Sequence, residues 1–351
     1  MIHAKMFVEK PAYKKKFWSY INGTPESDRP LIVQLCGSEK HSLLQTVNEI
    51  TQSKGGGIDG IDLNCGCPQT IAKRGMYGAF LLEKPELILE VVKFLVANVD
   101  CPVSVKVRIL PSGVEDSLKL YEKLIDAGAS MLTIHGRNRL QKGLKIGHAD
   151  WSTIKQAVDL LGHRVPILAN GSTANLDEVR ECLEATGADG VMSAEAILEY
   201  PAIFNETGTK AVKGCRVGPG RLSLTREYIA LCQEYPPEKG GQGNGIKCVR
   251  GHFHRFLHED LQSRPEIRDS IAYTRDYDVL RKACDDIEAL QKSSKHRVEN
   301  EALSWYMRHR KTGCNGDNMS DILDKRSKEV THTDLDDEAA GCFTHLFGED
   351  G

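Results

Sequence analysis

The feature that most constrains the fold is an alternation of short apolar runs with amphipathic helical patterns between residues 31 and 200. Few positions of the apolar runs are polar, as expected for parallel strands that helices cover on both faces. Apolar stripes at helical spacing over 87–96, 118–125 and 176–183 predict helices between the runs. The runs are LIVQL (31–35), GIDLN (60–64), VSVKVR (103–108), MLTIHG (131–136), PILANG (166–171) and DGVMSA (189–194). Repeated strand–helix units of this kind predict an α/β fold, either a doubly wound sheet or a (β/α)8 barrel.

Polar residues at the strand ends distinguish these two architectures. A barrel collects the C-terminal ends of all its strands around one mouth, whereas a doubly wound sheet uses mainly its switch point. Six consecutive predicted strands carry polar or charged groups at or just beyond this end, and no GxGxxG pattern follows the first. These groups are Gln34, Asn64, Lys106, Arg108, His135, Asn170 and Ser193. The pattern therefore favours the barrel.

The strand signal ends near residue 205, and helical patterns over 222–235, 245–260 and 276–292 follow. We expect the barrel over residues 1–210, a small helical domain over 211–294 and a polar, disordered tail over 295–351. The net charge of −3 excludes a global attraction for nucleic acid, so RNA binding would need a local basic patch. The 11 cysteines follow no spacing framework, and neither a signal core nor a membrane-length apolar run is present. These features predict a soluble protein of the cytoplasm or nucleus without membrane contact.

Cys65 and Cys67 flank a single glycine directly after a buried predicted strand. A C-x-C pair supplies only two of the ligands that a zinc site needs, and cysteines this close rarely form a comfortable disulfide. Cys65 also suits a small buried core position. Pro68 ends the strand and exposes Cys67 at the rim, where a thiol acts as a nucleophile or as an acid according to its pKa. The sequence leaves both chemical roles open for Cys67.

Lys106 and Arg108 indicate a site for an anion. They alternate along VSVKVR and therefore share one face of an otherwise apolar strand. Two buried cations need either salt-bridge partners or an anionic ligand, and the pattern favours the ligand. Gly171 and Ala194, in the turns after the last two strands, would let backbone N–H groups approach a phosphate.

A second basic set lies in the predicted helix over 245–260. Lys247, Arg250 and His254 share one face of this helix. Such a face is either solvated or in contact with the phosphates of a nucleic acid. The cluster stands out in a chain that is acidic overall, which favours phosphate contact.

The motifs DLNCGCP, VKVR, HGR, ANG and VMSAEA, in this order, resemble those of the tRNA-dihydrouridine synthases. The similarity runs from residue 1 to about residue 290 and is strongest to the eukaryotic subgroup that modifies uridines 16 and 17. The resemblance implies an FMN-binding (β/α)8 barrel followed by a small helical domain that helps to hold tRNA. It also implies NADPH or NADH as the reductant, and we expect a monomer without a metal.

Position by position, the resemblance implies a role for each motif. Cys67 matches the catalytic cysteine, and Asn64 matches its partner at the flavin–uracil site. Implied cofactor contacts are Gln34, Lys106, His135, the turn Asn170, Gly171 and Ser172, and the pair Ala194 and Glu195. Implied substrate contacts are Asn64, Arg108 and Arg137, and the basic helix face adds Lys247 and Arg250 as expected contacts with the RNA. The family usually has Gly-Arg where this chain has Ala194 and Glu195, so backbone amides would have to contact phosphate there.

The implied reaction reduces the uracil ring of a tRNA uridine in the D-loop. NADPH reduces FMN, a hydride passes from FMN to C6, and Cys67 donates a proton to C5 as a general acid. This role requires a protonated thiol, whose pKa stays near or above neutrality. The alternatives are a flavin-dependent reductase of free pyrimidines and an RNA-binding relative with impaired catalysis.

The first residues, MIHAKMF, resemble the end of the second strand of the family's barrel. We therefore expect that the first strand and first helix are missing from this chain. Residues MIHA and the six runs then make seven strands, which leave two sheet edges unpaired. We expect weak FMN binding and poor stability from such an opening.

Overall fold

The computed structural model describes residues 1–22, 29–52, 57–141, 146–205, 220–237 and 245–293. The chain forms two compact units. The first comprises Met1–Thr173 and Asp177–Ser193, and the second comprises Ala174–Leu176 and the chain from Ala194 onward. The units thus divide after Ser193, whereas the sequence placed a boundary at residue 210, in a segment outside the described residues. The predicted tail over 295–351 also lies outside them.

Seven parallel strands form the sheet of the first unit, in the order in which they occur along the chain. A doubly wound sheet would reverse its strand order at the switch point, so the sequential order identifies the barrel type of α/β fold. Among the strands of the described residues, β1 and β7 lie at the two edges of the sheet. The strands are β1 Ile2–His3, β2 Ile32–Cys36, β3 Gly60–Asn64, β4 Val103–Arg108, β5 Met131–His135, β6 Ile167–Asn170 and β7 Gly190–Met192.

Helices connect the strands, and local sequence explains where several of them begin. Pro85 occupies the first turn of α5, where its missing N–H costs nothing. Asp150 caps α7 by accepting a hydrogen bond from the N–H of Thr153 at 3.0 Å. The helices are α1 Ala4–Glu9, α2 Pro11–Asn22, α3 Lys40–Thr51, α4 Thr70–Arg74, α5 Pro85–Asn98, α6 Val114–Asp126, α7 Trp151–Leu161 and α8 Leu176–Thr186, with a 3₁₀ turn at Gly78–Phe80.

The core of the first unit lies between the sheet and these helices. Alternate strand residues such as Leu63, Val105 and Ile134 are fully buried. They pack in one cluster with helix residues such as Ile88 and Leu124. This packing leaves the C-terminal strand ends to carry polar groups, because those ends lie beyond the apolar layer.

The second unit is helical. Its core contains Ile229, Val249, Phe253 and Leu280, which share one hydrophobic cluster. The helices are α9 Glu195–Glu199, α10 Arg221–Glu234, α11 Ile246–Phe256, α12 His258–Gln262, α13 Pro265–Ala272 and α14 Tyr277–Ser293. None of the described helices of either unit is long and apolar enough to span a membrane.

The prediction of one continuous helix over 245–260 is wrong. α11 ends at Phe256, and Leu257 has φ −110° and ψ 27°, outside the helical region. Leu257 and Leu261 are both buried in the helical core. The turn between α11 and α12 lets both leucines reach that core.

Candidate active site

The strand register brings the predicted polar residues into neighbouring rows. Asn64 on β3 pairs with Lys106 on β4, two residues before Arg108. Arg108 pairs with His135 on β5, and His135 pairs with Asn170 on β6. The residues that the sequence analysis placed at separate strand ends therefore lie side by side on one sheet. Gln34 and Lys106 lie within their strands, each two residues before the last strand residue, rather than at the end.

Three hydrogen bonds position the loop that carries Cys67. The side-chain Oδ1 of Asn64 accepts hydrogen bonds from the backbone N–H groups of Gly66 at 3.2 Å and Cys67 at 3.1 Å. The carbonyl oxygen of Cys67 accepts a hydrogen bond from the N–H of Ala79 at 3.0 Å. A Cβ added at Gly78 would lie 2.6 Å from that same carbonyl oxygen, so the 3₁₀ turn approaches the loop as closely as a glycine allows. The loop is thus held from both sides.

Burial separates the two cysteines of the motif. Cys65 is fully buried in the main core, where burial raises the pKa of its thiol well above the ordinary value. Cys67 is half-buried, and its Sγ lies 3.8 Å from Oε1 of Gln69. Burial raises the pKa of the Cys67 thiol as well, although a hydrogen bond at Gln69 and the charge of Arg108 oppose the shift. Cys67 is therefore a protonated thiol at neutral pH, which suits a proton donor better than a thiolate nucleophile.

The two cysteines are free thiols. Within the described ranges, no group of three or more His, Cys, Asp or Glu side chains is arranged to hold a metal ion. Cys65 thus takes the core position that the sequence analysis considered for it.

Lys106 lies on β4, between Asn64 on β3 and Thr133 on β5 in the strand register. Its Nζ donates a hydrogen bond to Oδ1 of Asn170 at 2.8 Å, and Nδ2 of Asn170 donates to the carbonyl oxygen of Met192 at 2.7 Å. Burial, followed by repulsion from Arg108, lowers the pKa of Lys106 to about 8, and the carboxylate of Asp62 partly opposes this shift. A buried cation with a depressed pKa is stabilised by any anion that binds beside it.

Arg108 supports the cysteine loop from the neighbouring strand. Its Nε donates to the carbonyl oxygen of Gly66 at 2.6 Å, and its Nη1 donates to that of Asn138 at 3.2 Å. The guanidinium therefore links the β3 loop to the loop after β5. This role adds to the predicted substrate contact, which stays a prediction.

Arg137 is almost fully buried, with 5% of its surface exposed. Its guanidinium donates to the carbonyl oxygen of Gly147 at 2.8 Å and to Oγ of Ser172 at 2.9 Å. Its Nη1 also lies 3.1 Å from Nε2 of His135. These contacts hold the turns after β5 and β6 together, and the substrate contact predicted for Arg137 stays a prediction.

His135 is neutral at this position. Burial and the three cations Arg108, Lys106 and Arg137 lower its pKa well below the ordinary value. Because a guanidinium can only donate, Nε2 of His135 accepts from Arg137 and the ring proton resides on Nδ1. The ring thus presents one N–H donor.

The turn after β6 has a left-handed backbone at two successive residues and packs closely against His135. Gly171 has φ +107°, and a Cβ there would lie 2.8 Å from Cδ2 of His135. Ser172 also has a positive φ of 63°, and its Oγ accepts the N–H of Ala149 at 2.7 Å. At the end of the adjacent β7, Oγ of Ser193 is buried and has no hydrogen-bond partner among the described residues. Clustered cations, a glycine turn and an unused hydroxyl together fit an anionic cofactor.

Four predicted contacts lie in the second unit. Ala194 immediately precedes α9, and Glu195 is its first residue. Lys247 is exposed on α11, and Nη1 of Arg250 donates to the carbonyl oxygen of Thr274 at 3.2 Å. The contacts of these four residues with cofactor or RNA stay predictions.

The sequence analysis did not identify Asp62 and Ser104 as candidate site residues. Asp62 pairs with Gln34 on one side and Ser104 on the other in the strand register. Its carboxylate accepts hydrogen bonds from both side chains at 2.8 Å. The available signal was a charged residue two positions before Asn64 in a buried strand, which places both on the same face.

The chain matches the family described as dihydrouridine synthase (Dus) over residues 1–294. It is 38% identical over 272 residues to the tRNA-dihydrouridine(16/17) synthase [NAD(P)(+)] of Saccharomyces cerevisiae, covering 78% of this chain and 62% of the yeast protein. It is 32% identical over 272 residues to the protein of that name in Schizosaccharomyces pombe, covering 78% of this chain and 65% of that protein.

A mammalian relative gives a similar result. The chain is 35% identical over 272 residues to the tRNA-dihydrouridine(16/17) synthase [NAD(P)(+)]-like protein of Rattus norvegicus, covering 78% of this chain and 56% of the rat protein. The chain therefore spans about 56% to 65% of the length of these curated relatives. The family match over residues 1–294 confirms the resemblance seen in the motifs: this chain belongs to the dihydrouridine synthase family.

Proposed function

We propose that this protein reduces uridine to 5,6-dihydrouridine in the D-loop of tRNA, at positions 16 and 17, with FMN as cofactor and NADPH or NADH as reductant. The observation that carries the proposal is a protonated, half-buried thiol, Cys67, in a loop whose Gly66 carbonyl oxygen accepts a hydrogen bond from Arg108. The names of the related yeast and rat proteins support the tRNA substrate and the choice of positions.

The residues of the first unit suit FMN. The turn with Gly171 and Ser172 offers backbone N–H groups to a phosphate, and Lys106 offers a positive charge to the anionic form of the ring system. Gln34 and His135 offer side-chain hydrogen bonds to the polar edge of a flavin. When FMN is bound, it supplies the hydride that adds to C6 of the uracil, and NADPH or NADH restores it.

Cys67 supplies the other half of the reduction. Saturating the C5–C6 double bond requires one proton at C5 in addition to the hydride at C6. Because burial raises its pKa, the thiol carries that proton at neutral pH and donates it from Sγ. The resulting thiolate lies near the cation Arg108, which stabilises its charge until solvent returns a proton.

Substrate access requires that the uridine leave its base stack. The free energy needed to unstack an unpaired loop nucleotide is small, so a tRNA loop is a favourable substrate. The exposed Lys247 on the basic helix α11 would contact phosphates of the tRNA. A free pyrimidine needs no such basic surface, which favours tRNA over the free base.

The test compares Cys67→Ala with wild type, using purified protein, FMN, NADPH, and tRNA that lacks dihydrouridine. We expect wild-type protein to form dihydrouridine in tRNA and not from free uridine. Cys67→Ala should lose dihydrouridine formation while FMN reduction by NADPH remains nearly unchanged. Cys101→Ala is the matched control, since it removes another half-buried free thiol, located just before β4.

Three results would refute the proposal. Equal loss of both activities in Cys67→Ala would show that the thiol is structural. Product from free uridine alone would indicate a pyrimidine reductase. Protein that binds tRNA and never retains FMN would indicate an RNA-binding relative without catalysis.

A further inference from the structure

We propose that Asp62 is a positioning residue for the Cys67 loop, acting through Gln34 and Asn64. This inference rests on the proposed function, because it explains how the proton donor of that reaction is held in place. Asp62 touches neither the thiol nor the turn after β6 in its hydrogen bonds, and its effect passes through other side chains.

A continuous chain of hydrogen bonds connects Asp62 to the loop. Nε2 of Gln34 donates to Oδ2 of Asp62 at 2.8 Å, and Nδ2 of Asn64 donates to Oε1 of Gln34 at 3.1 Å. Oδ1 of Asn64 then accepts the N–H groups of Gly66 at 3.2 Å and Cys67 at 3.1 Å. Each step lies within ordinary hydrogen-bond distance.

The carboxylate determines the direction of this chain. An ionised carboxylate can only accept, so Gln34 must turn its NH₂ group toward Asp62 and its oxygen toward Asn64. Asn64 must then direct its NH₂ group to Gln34, which leaves its oxygen for the loop N–H groups. If either amide were reversed, two donors or two acceptors would face each other. Asp62 therefore selects the one arrangement in which the loop amides are satisfied.

Strand geometry keeps Asp62 in place. Gln34, Asp62 and Ser104 are register partners across β2, β3 and β4. Ser104 donates to Oδ1 of Asp62 at 2.8 Å, so both carboxylate oxygens are occupied. Asp62 is only 9% exposed, and a buried carboxylate is costly unless it is hydrogen-bonded in this way.

Asp62 also acts on the charge of the neighbouring site. Burial raises the pKa of Asp62, and the hydrogen bonds from Gln34 and Ser104 together with the charge of Lys106 oppose this rise. The negative charge of Asp62 in turn opposes the loss of a proton from Lys106. One buried anion thus supports both the cysteine loop and the cation that we assign to the cofactor. This coupling gives Asp62 a reason to be an acid rather than an amide.

The test uses three variants of the whole 351-residue chain. Asp62→Ala removes the start of the chain. Asp62→Asn can still accept from Gln34 through its oxygen and donate to Ser104 through its NH₂ group, so it is the conservative variant. Ser104→Ala is the matched control, because it removes the other contact of the carboxylate and leaves the path to Cys67 intact.

We first expect Asp62→Ala to affect the reduction of uridine much more than the reduction of FMN by NADPH. Asp62→Ala should slow dihydrouridine formation by about 100-fold, the effect of a displacement of roughly 1 Å at a reacting group. FMN reduction by NADPH should change much less, because the chain ends at the loop N–H groups. Asp62→Asn should recover the rate to within about fivefold of wild type, since it loses only the charge assistance of the hydrogen bond.

A second readout does not depend on the reaction. Alkylation of Cys67 by iodoacetamide, followed by mass spectrometry with Cys101 as the internal reference, reports how well the loop is held. Asp62→Ala should accelerate alkylation of Cys67 severalfold over a range of pH, and Ser104→Ala should not. If the protein formed no dihydrouridine at all, the proposed function would fail while this measurement still tested the positioning role.

Two outcomes would overturn the inference. Unchanged alkylation of Cys67 in Asp62→Ala would show that the loop does not depend on the carboxylate. Equal impairment of Asp62→Ala and Asp62→Asn in both halves of the reaction would show a merely structural residue. If Asp62→Ala does not fold, Gln34→Leu breaks the chain one step later, and an unchanged Cys67 alkylation rate in that variant would equally overturn it.

Discussion

Replacing Lys106 with methionine should reveal the cost of a buried cation as a stability difference that changes with pH. Lys106 is hydrogen-bonded to Asn170, and burial together with Arg108 lowers its pKa from 10.5 to about 8. Methionine keeps much of the apolar stem and removes the charge. The unpaired oxygen of Asn170 adds a penalty that does not depend on the protonation of Lys106.

The sign follows from where the proton is bound. In the unfolded chain Lys106 keeps its proton up to about pH 10.5, whereas in the folded chain it loses the proton near pH 8. The charged form therefore destabilises the fold by roughly 3 kcal/mol below pH 8. That cost shrinks as the pH rises from 8 to 10.5, so wild type should gain about 2 kcal/mol relative to Lys106→Met between about pH 7 and about pH 9.5.

Urea denaturation of both proteins without added FMN, at several pH values, measures this difference. Groups that titrate in both proteins cancel when the two free energies of unfolding are subtracted. Lys119→Met is the control, because Glu115 raises the pKa of this exposed lysine. A raised pKa gives a stabilisation that persists below pH 10.5, so the control should show no gain over the same range.

A stability difference between wild type and Lys106→Met that stays constant from about pH 7 to about pH 9.5 would refute the reasoning. It would mean that the Lys106 ammonium is as well solvated in the folded protein as in the unfolded chain. The interpretation that an anionic ligand stabilises a poorly solvated Lys106 would then lose its physical basis.

Three further predictions address the loop, the RNA surface and the helical unit. Gly78→Ala should cost about 1–2 kcal/mol of unfolding free energy through its left-handed φ of +63°. It should also reduce dihydrouridine formation by about 100-fold, because the new Cβ would lie 2.6 Å from the carbonyl oxygen of Cys67. Gly113→Ala, at φ +125° with no atom within 4 Å of an added Cβ, should lower stability and spare activity, and equal activity loss in both would contradict the prediction. Lys247→Glu should weaken tRNA binding and lower the slope of log affinity against log salt by about one, which a salt series of binding measurements would detect or exclude. Glu199→Ala removes the carboxylate that lies 2.8 Å from the guanidinium of the largely buried Arg221 and leaves this cation with hydrogen bonds to carbonyl oxygens only. Thermal or urea unfolding should therefore show a loss of about 3 kcal/mol, and a loss near zero would contradict the prediction.

Several elements were predictable from local sequence alone. GIDLN and VSVKVR coincide with β3 and β4, because a strand buried on both faces requires a continuous apolar run and turn residues end it. The placement of Asn64, Lys106 and His135 near one another follows from the same logic, since parallel strands in sequential order align their C-terminal ends. The motif around Cys67 was recognisable because its residues are contiguous in the sequence.

Other features depended on contacts between distant segments. The end of α11 at Phe256 was missed, because Leu257 and Leu261 pack into a core assembled from several helices. Nothing in the sequence indicated that the guanidinium of Arg137 donates to the carbonyl oxygen of Gly147 and to Oγ of Ser172. No window of neighbouring residues contains these partners.

By itself, the sequence determined the succession of strands and helices, the parallel barrel-type sheet and the strand end at which Cys67 lies. These properties follow from hydrophobic periodicity and turn residues, which act over a few positions of the chain. Only the tertiary structure decided that burial and Arg108 depress the pKa of Lys106 and which carboxylate orients the cysteine loop. Those properties depend on strand register and on the exclusion of water, and both arise only when segments far apart in the chain pack together.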